Sequence, residues 1–363
     1  MSTQAAQTGE FAAQLLRSGA RAYASRAAEV VLERHPDIRE AFGSGAFRRW
    51  HEHLTQRVRE LAASVEMSSP EMFVSDVVWS RDAFLSRGVS VDALRYSLEA
   101  LAETLNEDLP ENVRPAVARC LSQGIDHAVG DSASMSVLSN SSETGRLALH
   151  YLEAAMSGDR RLAVEMLVDA YKGGTPVADL YERVLLTVEV EVGRMWHIGE
   201  VTISEEHVVT ATTRTAMGIL CYLASRDVAV RPGVGRVLLS TVEGDHHDLG
   251  VQAVSDLFEI AGFRTVNLGA NTPASDLTKA VVDFDPSLVV LGAMMTTHVQ
   301  AAREAVQATR QTKPGVPVLV GGDAFASTEG LAEKIGATSF VRSGREAVAW
   351  LDGAVSRGEI AFG

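Results

Sequence analysis

From Arg236 to Val355, short runs of branched apolar residues alternate with amphipathic stretches. A parallel sheet covered by helices on both faces satisfies that alternation, because each apolar run is then buried on two sides. Arg236–Val242 reads as the first strand, followed by an amphipathic helix from Leu249 to about Ala261. Phe263–Leu268 reads as the second strand, with a helix beginning near Pro273. Ser287–Met295 is an almost continuous apolar run, as expected of a central parallel strand. A helix from Val299 to about Gln311 leads to a fourth strand, Pro317–Gly322. A short helix, a fifth strand at Ala337–Val341 and a last helix to about Val355 complete the pattern. Five strands with intervening helices predict a flavodoxin-like, Rossmann-like domain over residues 233–363.

The first strand-to-helix junction carries the chemistry. It reads Asp245, His246, His247, Asp248, Leu249, Gly250, an Asp-x-His-x-x-Gly loop. In open parallel sheets, ligands bind outside the carboxyl ends of the strands, which is where this loop falls. The loop offers His247 as an imidazole metal ligand. Asp245, two residues earlier, can accept the proton of its other ring nitrogen and fix the tautomer. Gly250 removes a Cβ where a bulky ligand would pass the helix start, whereas His246 is expected to be exposed and idle.

Upstream, residues 141–232 hold four amphipathic stretches: Leu147–Met156, Arg160–Tyr171, Val177–Met195 and Glu205–Ala224. Gly, Ser and Thr breaks separate them, so they read as a four-helix bundle. Trp196 and His197 end the third stretch, and Glu206 and His207 open the fourth, with nine residues between Trp196 and Glu206.

The loop resembles the signature of cobalamin-binding domains, and Gly321–Gly322 at the end of the fourth strand matches that family's glycine pair. The resemblance implies that His247 ligates cobalt from below while the nucleotide tail is buried in the fold. It also adds Gly292 and Met294 to the cofactor-binding residues. The family often has Ser-x-Leu at the end of the third strand, and here that position reads Gly292, Ala293, Met294, which removes one hydroxyl. The helical bundle with Trp196, Glu206 and His207 resembles the cap of adenosylcobalamin-dependent photoreceptors of the CarH type. The resemblance covers roughly residues 145–363. It implies that Trp196 packs on the adenosyl group, Glu206 meets its ribose and His207 lines the upper face. His197 would take the upper cobalt position after photolysis.

The rest of the chain, residues 1–140, reads as a helical sensor or interaction domain. Apolar spacing predicts helices over Phe11–Val31, Phe47–Val65, Met72–Leu85, Val91–Leu105 and Val113–Val129, with starts at Ser69–Pro70 and Ser90. The stretches Ser75–Trp79 and Gly88–Leu94 resemble helical sensory domains that precede bacterial signalling outputs. A polar linker follows at Gly130–Ser134 and Ser139–Thr144. His51 and His53 flank Trp50, which suggests a haem or bilin pocket, with a bilin such as biliverdin as a second chromophore.

Composition sets outer limits. A length of 363 residues suits two or three domains, and 46% hydrophobic content is ample for buried cores. A net charge of −14 argues against direct contact with nucleic acid. No apolar run is long enough to span a membrane, and Met1–Ala5 shows no charged-then-apolar leader. Cys120 and Cys221 suit a reducing cytoplasm.

The leading expectation is a non-enzymatic light sensor that holds adenosylcobalamin through His247, with Trp196 as a lid. Photolysis would change contacts with a signalling partner or with a second copy in a homo-oligomer. The alternative is a corrinoid methyl carrier serving a separate methyltransferase, which keeps the His247 loop but needs no aromatic lid. A mutase is excluded for this chain alone, since the substrate barrel it requires takes about 250 residues.

Overall fold

A computed structural model describes residues 3–130, 135–231 and 235–360. It forms two compact units, residues 1–134 and 135–363. Residues 131–134 of the expected linker, residues 1 and 2 of the stretch read for a leader, the expected domain boundary at 232/233 and residues 361–363 lie outside the described residues.

The first unit is helical. Its elements are α1 (Thr3–Arg34), α2 (Pro36–Phe42), α3 (Ala46–Glu66), α4 (Pro70–Ser86), α5 (Val91–Asp108) and α6 (Arg114–His127). Small residues on α1, Ala13, Ala20, Ala24 and Ala27, are buried, which lets α3 pack closely along its length. Ser90 caps α5 by accepting from the Asp92 N–H, and Ser69 precedes Pro70 at the start of α4 as the sequence suggests. Helix α2 has no counterpart in the periodicity. It is seven residues long with one buried apolar side chain, Ile38.

The second unit begins with the helical bundle: α7 (Glu143–Met156), α8 (Arg160–Lys172), α9 (Val177–Leu180), α10 (Leu186–Ile198) and α11 (Ile203–Ser225). The expected single helix from Val177 to Met195 is interrupted by a π-helical segment, Tyr181–Leu185. The extra residue per turn lets Tyr181, Val184, Leu185 and Val188 all face the bundle core. Gly199, at φ +80, ends α10 in the left-handed conformation that glycine adopts without strain. Thr202 and Glu205 form a capping box that restarts the chain as α11.

The sheet follows, with β1 (Arg236–Thr241), α12 (Leu249–Ile260), β2 (Arg264–Asn267), α13 (Ala274–Phe284), β3 (Leu288–Gly292), α14 (Val299–Thr312), β4 (Val318–Gly321), α15 (Asp323–Ala326), α16 (Leu331–Lys334), β5 (Ser339–Phe340) and α17 (Gly344–Ser356). All pairings are parallel, and the strand order is β2-β1-β3-β4-β5, the flavodoxin-like arrangement expected from the alternation. The order reverses between β1 and β3, so their carboxyl ends border the crevice where such folds hold ligands.

Helix α12 joins bundle to sheet. Leu249, Ala253 and Leu257 belong to the same apolar core as Tyr181, Met217 and Leu220. Each buried leucine contributes about 1.5–3 kcal/mol by transfer. On its other face, α12 sends Val251 and Phe258 into the sheet core.

Candidate functional site

The loop after β1 is fixed from its backbone outward. The Thr241 hydroxyl donates to the Asp245 carbonyl at 2.6 Å, and the same carbonyl accepts the Asn271 N–H at 2.9 Å. The Asn271 side-chain oxygen accepts the Gly244 N–H at 2.7 Å. These bonds hold a loop that makes few regular contacts of its own, and they aim Asp245 inward.

Asp245 is fully buried. Its Oδ1 accepts from the His247 ring Nδ1 at 2.7 Å and from the His247 backbone N–H at 2.9 Å. Its Oδ2 accepts the Met294 N–H at 2.6 Å, at the end of β3. Burial alone would raise its pKa, but the hydrogen bonds from His247 and from the Met294 N–H, with the His298 ring 3.5 Å from Oδ2, outweigh that and hold the carboxyl well below the usual range. Asp245 is therefore an anion, and an anion facing Nδ1 keeps the proton on that nitrogen. The lone pair of neutral His247 then sits on Nε2. The His247 side chain is 57% exposed, so Nε2 is presented outward. Its pKa is raised, first by the hydrogen bond to Asp245, against a lowering by burial, with smaller contributions from the Asp245, Glu206 and Asp248 charges.

Glu206, in the first turn of α11, is thus close enough to act electrostatically on His247. Its Oε1 accepts the Thr210 hydroxyl at 2.9 Å, and its Oε2 lies 3.4 Å from the His207 ring. His207 is well exposed, and Trp196, in the last turn of α10, is 45% exposed. A large aromatic left this open at the mouth of a bundle is not a core residue. His197 follows Trp196 in the same last turn.

Other expected residues have structural duties that the motif does not convey. Both Asp248 carboxylate oxygens are bonded to the Arg214 guanidinium of α11, at 2.7 and 3.1 Å, tying the loop to the bundle. Leu249 packs into the bundle core. His246 is exposed, as expected, and a Cβ on Gly250 would meet nothing within 4 Å, so the space beside the start of α12 is open. The later glycines answer to internal packing. A Cβ on Gly292 would lie 2.5 Å from Val251, and one on Gly322, at φ +103, would lie 2.2 Å from the Ala293 carbonyl oxygen. Gly321 is next to the Val341 carbonyl. Close approach of β3, β4 and their loops explains these glycines without a ligand.

The other histidine pair does not converge. His53 is buried edge-on against Trp50 and beside Phe84; burial, with the Arg57 charge, lowers its pKa to about 3. His51 instead stacks on Phe47 and contacts the Arg21 carbonyl. The haem or bilin expectation therefore finds no shared pocket between these two rings.

The donor set offers one nitrogen ligand and no cage of ligands. Among the described residues no group of three or more His, Cys, Asp or Glu side chains could hold a bare ion. A single outward imidazole with a carboxylate behind it suits a metal that arrives with its equatorial ligands already in a macrocycle. Sequence reasoning found Asp245 and His247 but missed His298, Asn271 and Arg214. They lie on other elements, and only the sheet order and the packing of α11 bring them to the loop.

Comparison with known proteins adds the following. Residues 235–351 match the family described as B12 binding domain, and residues 148–220 match a second B12 binding domain family. The chain is 27% identical over 203 residues to dimethylamine corrinoid protein 3 of Methanosarcina acetivorans, covering 55% of this chain and 93% of the relative. It is 29% identical over 211 residues to the trimethylamine corrinoid protein of Methanosarcina barkeri, covering 56% and 94%. Among solved structures, the Methanosarcina barkeri monomethylamine corrinoid protein aligns with a TM-score of 0.49 at 20% identity, covering 57% of this chain and 97% of that one.

Proposed function

We propose, on the premise that the bundle and the sheet are B12-binding family domains, that this chain is a corrinoid carrier. In this reading it holds its cofactor through His247 and presents it to a partner protein, a methyltransferase. The observation that carries the corrinoid assignment is the His247–Asp245 pair, with Nδ1 tied at 2.7 Å and Nε2 facing out. The carrier reading is supported by relatives named dimethylamine and trimethylamine corrinoid proteins, which favour it over the light-sensing expectation.

When bound, the corrinoid would supply a cobalt centre able to accept and release an alkyl group. The protein's own residues do the rest. His247 offers one neutral nitrogen, and Asp245 holds its orientation and raises its basicity. The open space beside Gly250 admits a bulky group. Arg214 and Asp248, with the apolar contacts of α12, keep the bundle seated over the loop.

A second reading is favoured by one specific arrangement. Trp196 is exposed at the end of α10, and Glu206 and His207 open α11, with the Glu206 charge felt at His247. An exposed aromatic at the end of α10 and a carboxylate in the first turn of α11 would suit a large adenosyl group, with His197 as a replacement ligand after photolysis. That is a light sensor signalling through self-association or a protein partner.

One experiment separates the two. The full chain is loaded with adenosylcobalamin in the dark, and its scattering mass and absorption are recorded before and after green light. A carrier keeps its mass and ends with an ordinary aquo-type spectrum. A change of mass together with a bis-imidazole spectrum overturns the carrier reading in favour of the sensor.

A further inference from the structure

Glu189 lies in the first turn of α10, outside the arrangement of Trp196, Glu206 and His207. On α11, Glu206, Thr210 and Thr213 recur at the spacing that puts side chains on one side of a helix. That side meets Glu189. The Thr210 hydroxyl lies 2.7 Å from Glu189 Oε2 and 2.9 Å from Glu206 Oε1. A hydroxyl has one proton and two lone pairs. With both carboxylates ionised, Thr210 must share its single proton between two anions, whereas a protonated Glu189 can donate to Thr210, which then donates to Glu206. The surroundings of Glu189 favour the second arrangement. Its Oε1 is buried and makes no hydrogen bond among the described residues, which is costly for an anionic oxygen. Burial raises the Glu189 pKa and the Glu206 charge adds to that, against lowering by the Thr213 and Thr210 hydroxyls and the Arg214 charge. On the α7 side stands Tyr151, fully buried, with its hydroxyl 3.0 Å from that of Thr213. Burial raises the Tyr151 pKa, with the Glu189 charge adding to it, so the phenol stays neutral.

We propose that Glu189 is a positioning residue for Glu206: as the neutral acid it donates to Thr210, Thr210 donates to Glu206 Oε1, and Glu206 is held as an acceptor-only carboxylate at the open end of the bundle. Hydrogen bonds aligned donor to acceptor polarise one another, so the buried acid strengthens the grip on the anion. The chain of bonds runs from a buried group to one that is 29% exposed and keeps its Oε2 beside the His207 ring. A fixed anionic acceptor there selects an upper ligand that presents a hydrogen-bond donor, a water or a sugar hydroxyl, over an alkyl group that has none. This selectivity rests on the corrinoid reading above, whereas the shared proton is a property of the protein alone.

The test uses the full chain. Carbon-13 NMR of protein labelled at its glutamate carboxyls follows the titration without cofactor. A resonance still protonated at about pH 6 should vanish in Glu189→Gln and titrate at least about one pH unit lower in Glu206→Gln, the coupling that marks two sites as one pair. Binding titrations with aquocobalamin, adenosylcobalamin and methylcobalamin then read selectivity. Glu189→Leu and Thr210→Val each break the chain and should lower the preference for the first two over methylcobalamin by about fivefold, less than the roughly tenfold of a charge-assisted bond lost outright. Glu189→Gln, whose amide N–H donates to Thr210 as the acid does, and Thr210→Ser should restore it. A fall confined to aquocobalamin identifies water as the donor, and one confined to adenosylcobalamin identifies the hydroxyl. A Glu189 carboxyl already ionised at that pH, or one whose titration ignores Glu206→Gln, overturns the proposal. So does an equal loss of selectivity in Glu189→Leu and Glu189→Gln, which is the mark of packing alone. If the parent binds none of the three cobalamins, the corrinoid reading fails instead, and the cofactor-free titration still decides the shared proton.

Discussion

Tyr181 in the π-helical segment has one proton and two acceptors. Its hydroxyl oxygen lies 2.7 Å from the Met217 carbonyl of α11 and 2.7 Å from Asp256 Oδ2 of α12. With Asp256 ionised, the Tyr181 hydroxyl must share its single proton between Asp256 and Met217, whereas a protonated Asp256 can donate to Tyr181, which then donates to Met217. The environment favours the protonated form. Burial raises the Asp256 pKa to about 6 and the Glu259 charge adds to it, against lowering by Tyr181, Gln252 and Cys221. The folded-state value lies above the ordinary 3.8, so the stabilisation is complete below 3.8 and is lost as pH rises through about 6. The difference corresponds to roughly 3 kcal/mol. Asp256→Asn removes the ionisation and keeps both contacts, because the amide N–H donates to Tyr181 and its oxygen accepts from Gln252. The variant should match the parent at low pH and exceed it by up to about 3 kcal/mol at pH near 8, or roughly 6–12 °C in Tm for a unit of this size. Thermal unfolding of both proteins by circular dichroism at acid and alkaline pH measures the difference. Asp245, whose pKa is depressed, loses its contribution as pH falls, but it does so in both proteins and cancels. A gap between parent and variant that does not change with pH, or a variant less stable at alkaline pH, refutes the protonated Asp256.

Trp196→Ala should leave aquocobalamin Kd within about twofold while reducing preference for adenosylcobalamin if the aromatic packs on an adenosyl group; equal titrations with both cofactors assign Trp196 no role in ligand choice. Arg214→Met should cost under about 1 kcal/mol in chemical denaturation, since the guanidinium is half-exposed and such pairs are screened. A larger loss makes the bundle-to-loop tie more than a surface ion pair. Gly322→Ala should destabilise the sheet unit by more than about 2 kcal/mol through the clash with the Ala293 carbonyl and the left-handed φ, and a parent-like denaturation midpoint contradicts that packing.

The sheet was legible because its strands are buried on both faces, which leaves an apolar signature in the sequence that few other structures share. The strand ends were overestimated: Ser287–Met295 shrinks to Leu288–Gly292, since Met294 turns its N–H to Asp245 instead of to a neighbouring strand. The π-helical segment left no trace in the periodicity of Val177–Met195, because its cause is tertiary, the anchoring of Tyr181 on two other helices. Asp245 and His247 could be found because they are two residues apart on one loop. His298 could not, because only the adjacency of β1 and β3 brings it to Asp245. Gly292 and Gly322 matched a motif, yet the structure gives each a close neighbour within the fold.

The proposed corrinoid site turns on His247 as the nitrogen ligand to cobalt. Electron paramagnetic resonance of the full chain loaded with unlabelled cob(II)alamin tests it, with the protein grown on natural-abundance or on fully 15N-labelled medium. Coordination by His247 predicts that the axial nitrogen splitting changes from triplet to doublet when the protein alone is labelled, and that it vanishes in His247→Ala. A splitting that stays a triplet in labelled protein, or survives unchanged in His247→Ala, would show that the nitrogen belongs to the cofactor's own base and contradict the assignment.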